Sequence, residues 1–101
     1  MLAKVAGSAP ADLRAGIQGL IGAGLESSGK AAEAAAAFGK AVSAARFESD
    51  RDTYRMDQAR ALMTSGDVAG AKALYETVGG RDDSPFAGEA RIRLGEIAAK
   101  S

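Results

Sequence analysis

The stretch from Gly66 to Val78 restates the stretch from Gly29 to Ala41. Gly29 and Gly66, Ala34 and Ala71, and Phe38 and Tyr75 stand at one and the same interval. In both copies a turn glycine precedes a short helix. One face of that helix carries Ala34, Phe38 and Ala41, or Ala71, Tyr75 and Val78, a four-then-three spacing that stacks side chains on one side. A helix used twice at a fixed interval makes the chain a repeat array, whose units bury their apolar faces against their neighbours. The recurrence constrains the architecture and leaves open what the array binds.

With 101 residues, the chain forms at most one small domain, able to bury roughly 60–65% of its unfolded surface. Twenty-four of the residues are alanine, against three Phe, two Tyr and no Trp. Alanine is the strongest helix former, and its small side chain lets helices lie close together. The sequence therefore predicts an all-α protein with thin helix contacts. Thirteen basic and 13 acidic residues leave no net charge, so no global field favours nucleic acid or an anionic membrane. Cysteine and histidine are absent. Disulfides, thiolate chemistry and the commonest general base and metal ligand go with them, and no metal or cofactor is expected. No apolar run approaches the ~20 residues of a membrane span, and the opening residues lack the form of a signal peptide.

Five helices are expected. Pro10 stands near the start of the first, which runs to about Ser27 with Leu13, Ile17, Leu20, Ile21 and Leu25 on one face. It holds Gly16, Gly19, Gly22 and Gly24, each costing about 1 kcal/mol relative to alanine. Close approach of a neighbouring helix is the expected reason, above all at Gly22. The second helix runs from Lys30 to about Phe47. The third runs from about Arg51 to Ser65, with Asp50 as its N-cap. The fourth follows Gly66 and Asp67 and stops at Gly79 and Gly80. Ser84 and Pro85 open the fifth, which carries Phe86, Ala90, Leu94, Ile97 and Ala98 to the end of the chain. The shift that sets Ile21 and Gly22 on Leu94 and Gly95 also pairs Leu2 with Tyr75, Val5 with Val78 and Gly7 with Gly80. Residues 1–7 thus read as the tail of a preceding unit, and 1–101 as a single domain forming the C-terminal part of a longer protein.

Ile21, Gly22, Leu25, Gly29, Ala34, Phe38 and Ala41, then Ala59, Leu62, Gly66, Ala71, Tyr75 and Val78, then Leu94, Gly95 and Ala98, keep one register across the chain. In this the chain resembles the tetratricopeptide repeat family, a helix-turn-helix unit of about 34 residues. The units here are slightly longer, and Gln18, Arg55 and Arg91 replace the family's early tryptophan. The resemblance implies a solenoid of helical hairpins, two full units plus a terminal helix. The Ala-rich character and the Asp83-Ser84-Pro85 junction are also similar to C-terminal repeat domains of bacterial envelope proteins. Some of those are membrane-anchored ancillary subunits, which would imply a periplasmic or membrane-associated location; without that likeness the expected location is cytoplasmic.

Residues 24–30 fit the spacing G-x-x-x-x-G-K of a phosphate-cradling loop. Ala31 stands where a hydroxyl should meet magnesium, and the preceding segment is helical in period. The repeat already explains Gly29 as a turn, so nucleotide binding is not expected. Asp50, Asp52, Asp82 and Asp83 lie at helix starts and read as caps that complement the helix dipole. Arg51, Arg55 and Arg60 interleave with Asp50, Asp52 and Asp57 and read as a solvated face of mixed charge.

The resemblance implies a concave surface formed by the first helix of each pair. By register it presents Gly16, Gly19 and Ala23, then Met56, Arg60 and Met63, then Glu89, Ile92 and Glu96. Gly19 and Ala23 replace the basic and amide side chains with which some family members clamp a terminal carboxylate. A glycine-alanine floor with methionine and isoleucine walls suits a partner helix or extended peptide, with Arg60, Glu89 and Glu96 fixing orientation. The expected function is a non-catalytic protein-interaction module, in which a charge at Met56 would abolish binding and spare helicity. The alternative is an accessory subunit of a membrane-associated assembly, held by its ends or convex face. Self-association through the open N-terminal end belongs to that alternative.

Overall fold

A computed structural model describes residues 11–100, and among these described residues the chain forms five helices: α1 (Ala11–Ser27), α2 (Ala31–Ala44), α3 (Glu48–Ser65), α4 (Val68–Gly79) and α5 (Ala87–Lys100). No strand occurs among the described residues. The expected tail at 1–7 and helix start at Ser8–Pro10 lie outside them. Extensive contacts join consecutive helices only, α1 to α2, α2 to α3, α3 to α4 and α4 to α5. The body is correspondingly elongated, 51 × 32 × 15 Å.

Short hairpin turns follow directly from the two glycines. Gly29 and Gly66 have φ of 79° and 94°, left-handed values that cost a side-chain-bearing residue strain. At each turn the chain closes on the last helical turn in the same way. Lys30 N–H donates to the Leu25 carbonyl at 2.9 Å, and Asp67 N–H donates to the Leu62 carbonyl at 2.8 Å. The two donors, like the two acceptors, stand one repeat interval apart. The Asp67 carboxylate then accepts from Gly70 N–H at 2.9 Å, capping α4.

The recurring residues supply the core. Ala34, Phe38 and Ala41 are buried, as are Ala71, Tyr75 and Val78. Phe38 packs with Ala34, Ala35 and Ala61, against Leu25 and Leu62. Tyr75 packs with Met56, Ala59, Ala71, Val78 and Ala90. Leu62 touches both clusters and ties them together. Each aromatic is the large side chain among alanines, so its burial contributes on the order of 1.5–3 kcal/mol.

Glycine makes this spacing possible at two places. A Cβ on Gly22 would lie 2.7 Å from both Cδ1 and Cε1 of Phe38. One on Gly19 would lie 2.7 Å from Cε1 of Tyr54. Close approach therefore explains Gly22, as expected, and Gly19 too. It does not explain Gly16 or Gly24, where an added Cβ meets nothing within 4 Å.

Three boundaries differ from the sequence reading. α2 ends at Ala44 instead of about Phe47, and α3 starts at Glu48 with Phe47, not Asp50, in the N-cap position. Asp50 sits within the first turn, where its charge still favours the dipole. α5 begins at Ala87, after a turn in which Phe86 N–H donates to the Ser84 hydroxyl at 3.2 Å. Arginines hold the two junctions between pairs. Arg51 Nε donates to the Ala45 carbonyl beyond α2 at 2.9 Å, and Arg91 Nε donates to the Gly79 carbonyl of α4 at 2.8 Å. Both satisfy carbonyls that helix ends leave unpaired.

Candidate functional site

Tyr75 projects from α4 between α3 and α5 and lines two adjoining cavities of about 230 and 220 Å³. Arg60 and Arg93 line both as well, so the two form one groove along α3 and α5. Met63 and Ile97 give the first cavity its apolar wall, with Thr64, Glu96 and Lys100 at its rim. Met56 and Phe86 do the same for the second, with Thr53, Asp57 and Glu89. Either volume is below the roughly 300–1,000 Å³ of a typical small-molecule pocket and suits a single side chain.

Charge along the groove is organised in pairs. Arg60 Nε and Nη2 donate to the Glu26 carboxylate at 2.8 and 2.9 Å, and Nη1 donates to Asp57 at 3.0 Å. The hydrogen bond from Arg60 holds the Glu26 carboxyl below the usual carboxylate range, and its return pushes the Arg60 guanidinium up. Arg93 donates to Glu96 at 3.1 Å and lies 3.8 Å from Glu89. Burial pushes the Tyr75 phenol up. Arg93 acts against that shift and Glu89 adds to it.

Five of the nine residues expected on this surface come together here: Met56, Arg60, Met63, Glu89 and Glu96. Gly16, Gly19, Ala23 and Ile92 line neither cavity. Gly19 is covered by Tyr54, while Ala23 and Ile92 face solvent. Two expected roles change. Arg60 is a strut between α1 and α3, because all three of its guanidinium nitrogens already meet carboxylates. Met56 is only 7% exposed and belongs to the core around Tyr75. A charge there would damage the fold along with any binding. Tyr75, Arg93 and Ile97 line the groove without having been expected there.

A second polar cluster lies at the junction of the two pairs. Asp52, 1% exposed, accepts from Arg81 and from Arg55, the latter at 2.8 Å. Glu48 accepts from Arg81 at 2.8 Å and from Arg55. Burial alone would raise the Asp52 carboxyl, but hydrogen bonds from Arg81, Ser84 and Arg55 outweigh it and hold it low. The same arginines, Arg55 foremost, lower Glu48 to about 2. Asp52 is therefore not a cap. It anchors the loop carrying Arg81 to α3. Among the described residues Arg81 Nε is the one buried side-chain polar atom without a partner.

The loop at 24–30 offers no anion cradle. The N–H groups of Ser28, Gly29 and Lys30 all donate to carbonyls of residues 24–26, and a helix precedes it. Among the described residues, no group of three or more potential metal-ligating side chains converges, and no helix is long and apolar enough to cross a membrane. No family model, curated protein or solved structure matches the chain.

Proposed function

We propose that the chain is a tetratricopeptide-like helical solenoid and a non-catalytic interaction module that takes a partner peptide or helix in the groove between α3 and α5. The observation that carries this reading is the pair of side-chain-sized cavities sharing the Tyr75 floor, each with apolar walls and a charged rim. Such a groove would bury one or two apolar anchors of a partner. Glu89, Arg93 and Glu96 would set its direction. Arg60 would act indirectly, by fixing α3 against α1.

The test is selection from a random peptide library displayed on phage, followed by titration of enriched peptides. Met63→Glu, at the partly exposed wall, should weaken binding at least tenfold, about 1.4 kcal/mol. Arg93→Glu, on the exposed rim, provides a variant that spares the core. Peptides that bind both variants as tightly as the parent protein would exclude the groove as the binding site.

A further inference from the structure

The shift that sets Ile21 on Leu94 also sets Leu13 on Phe86 and Ile17 on Ala90. In α5 those places meet α4: Ala90 is buried with Tyr75 and Val78, and Phe86 and Leu94 pack against the same cluster. In the third unit, then, this stripe is the seat of the preceding helix. In α1 the corresponding side chains are exposed, Leu13 at 44%, Ile17 at 38% and Ile21 at 46%. They stand one turn apart along a single face. The stripe has a definite far end, because Gly24 stands in the place of Ile97 and presents no side chain to cover.

We propose that the occupant is the chain's own leading segment: residues 1–7 form the counterpart of the last two turns of α4 and seat Leu2 and Val5 over Ile17, between Leu13 and Ile21. This seat follows from the repeat register and is independent of the groove between α3 and α5. Leu2 stands in the place of Tyr75, Val5 in that of Val78, and Gly7 in that of Gly80, at which α4 stops. The outward places agree: Ala3 and Lys4 replace Glu76 and Thr77, both exposed. Volume is exchanged across the contact. The third unit packs a large Tyr75 with a small Ala90, whereas here a smaller Leu2 meets a larger Ile17. Apolar swaps that keep the total volume are the kind a core accepts. One polar contact is carried over as well. Arg91 Nε donates to the Gly79 carbonyl at 2.8 Å. Gln18 stands in the place of Arg91, and its amide nitrogen lies as many bonds from Cα as an arginine Nε. It can donate to the carbonyl of Ala6, which stands in the place of Gly79.

Urea unfolding of the full chain reads the seat. Leu2→Asp and Val5→Asp should each lower the midpoint by about 0.5–1 M, whereas Ala3→Asp, on the outward side, should leave it in place. Because the chain has no cysteine, proximity can also be read directly. A Cβ on Gly79 would lie 3.6 Å from that of Ala90, within the span of a disulfide. The register carries this pair to Ala6 and Ile17. Ala6→Cys combined with Ile17→Cys should therefore close a disulfide within one chain in glutathione buffer, about tenfold more readily than Lys4→Cys combined with Ile17→Cys. This pair keeps the test valid if the aspartate variants fail to fold. Midpoints of Leu2→Asp and Val5→Asp no lower than that of Ala3→Asp overturn the proposal, as does equal oxidation of the two cysteine pairs. A disulfide that links two chains also overturns it, and identifies a second copy as the occupant.

Discussion

Gly22 and Gly95 occupy the same place in the first and third units, and the same substitution should move stability in opposite directions. Alanine in place of glycine inside a helix gains about 1 kcal/mol of propensity. At Gly95 an added methyl meets nothing within 4 Å, so Gly95→Ala should stabilise by about 0.5–1 kcal/mol, reduced toward the lower value by fraying near the chain end. At Gly22 the methyl would stand 2.7 Å from two carbons of the Phe38 ring and 3.0 Å from a third. Phe38 is itself buried and held by Ala34, Ala35 and Ala61, so the ring has nowhere to turn. Overpacking of this kind costs about 1–3 kcal/mol. The net effect of Gly22→Ala is a destabilisation of up to about 2 kcal/mol. Because the propensity gain is common to both, the difference between the variants isolates the contact with Phe38. The corresponding position in α3, Ala59, already holds a buried methyl within the Tyr75 cluster, so the α3–α4 pair has room that α1–α2 lacks. Urea unfolding followed by circular dichroism measures both variants, with the m-value checking that unfolding stays two-state. Equal stabilisation by the two substitutions would refute the close approach of α1 and α2.

Asp67→Ala removes the side-chain acceptor for Gly70 N–H and should cost about 1 kcal/mol in the same assay, with Asp67→Asn recovering most of it. The Glu48 and Asp52 carboxyls are held low in the folded protein, Glu48 at about 2 against an ordinary 4.5. The unfolded chain therefore binds more protons in this range, and stability falls with falling pH. It should decline from about pH 4.5 toward about pH 2, and Arg81→Gln should flatten that decline in urea titrations at stepped pH. A pH dependence identical to that of the parent protein would show that Arg81 does not hold these carboxylates.

The repeat was legible in the sequence because its markers are residues whose chemistry permits few alternatives. Gly29 and Gly66 are needed for a left-handed turn, Ala34 and Ala71 for helices that nearly touch, and Phe38 and Tyr75 for the gap beyond. Those residues determined that the chain is all-helical, where its hairpins turn and which faces are buried. Tertiary structure decided everything that depends on long side chains reaching between helices. Arg60 could not be assigned from its own helix, because Glu26 on α1 takes up two of its nitrogens. Asp52 looked like a cap until Arg81, from the loop beyond α4, folded back onto it. The groove too is a property of spacing between α3 and α5, and periodicity records only which face a residue occupies, not how far away the neighbouring helix stands.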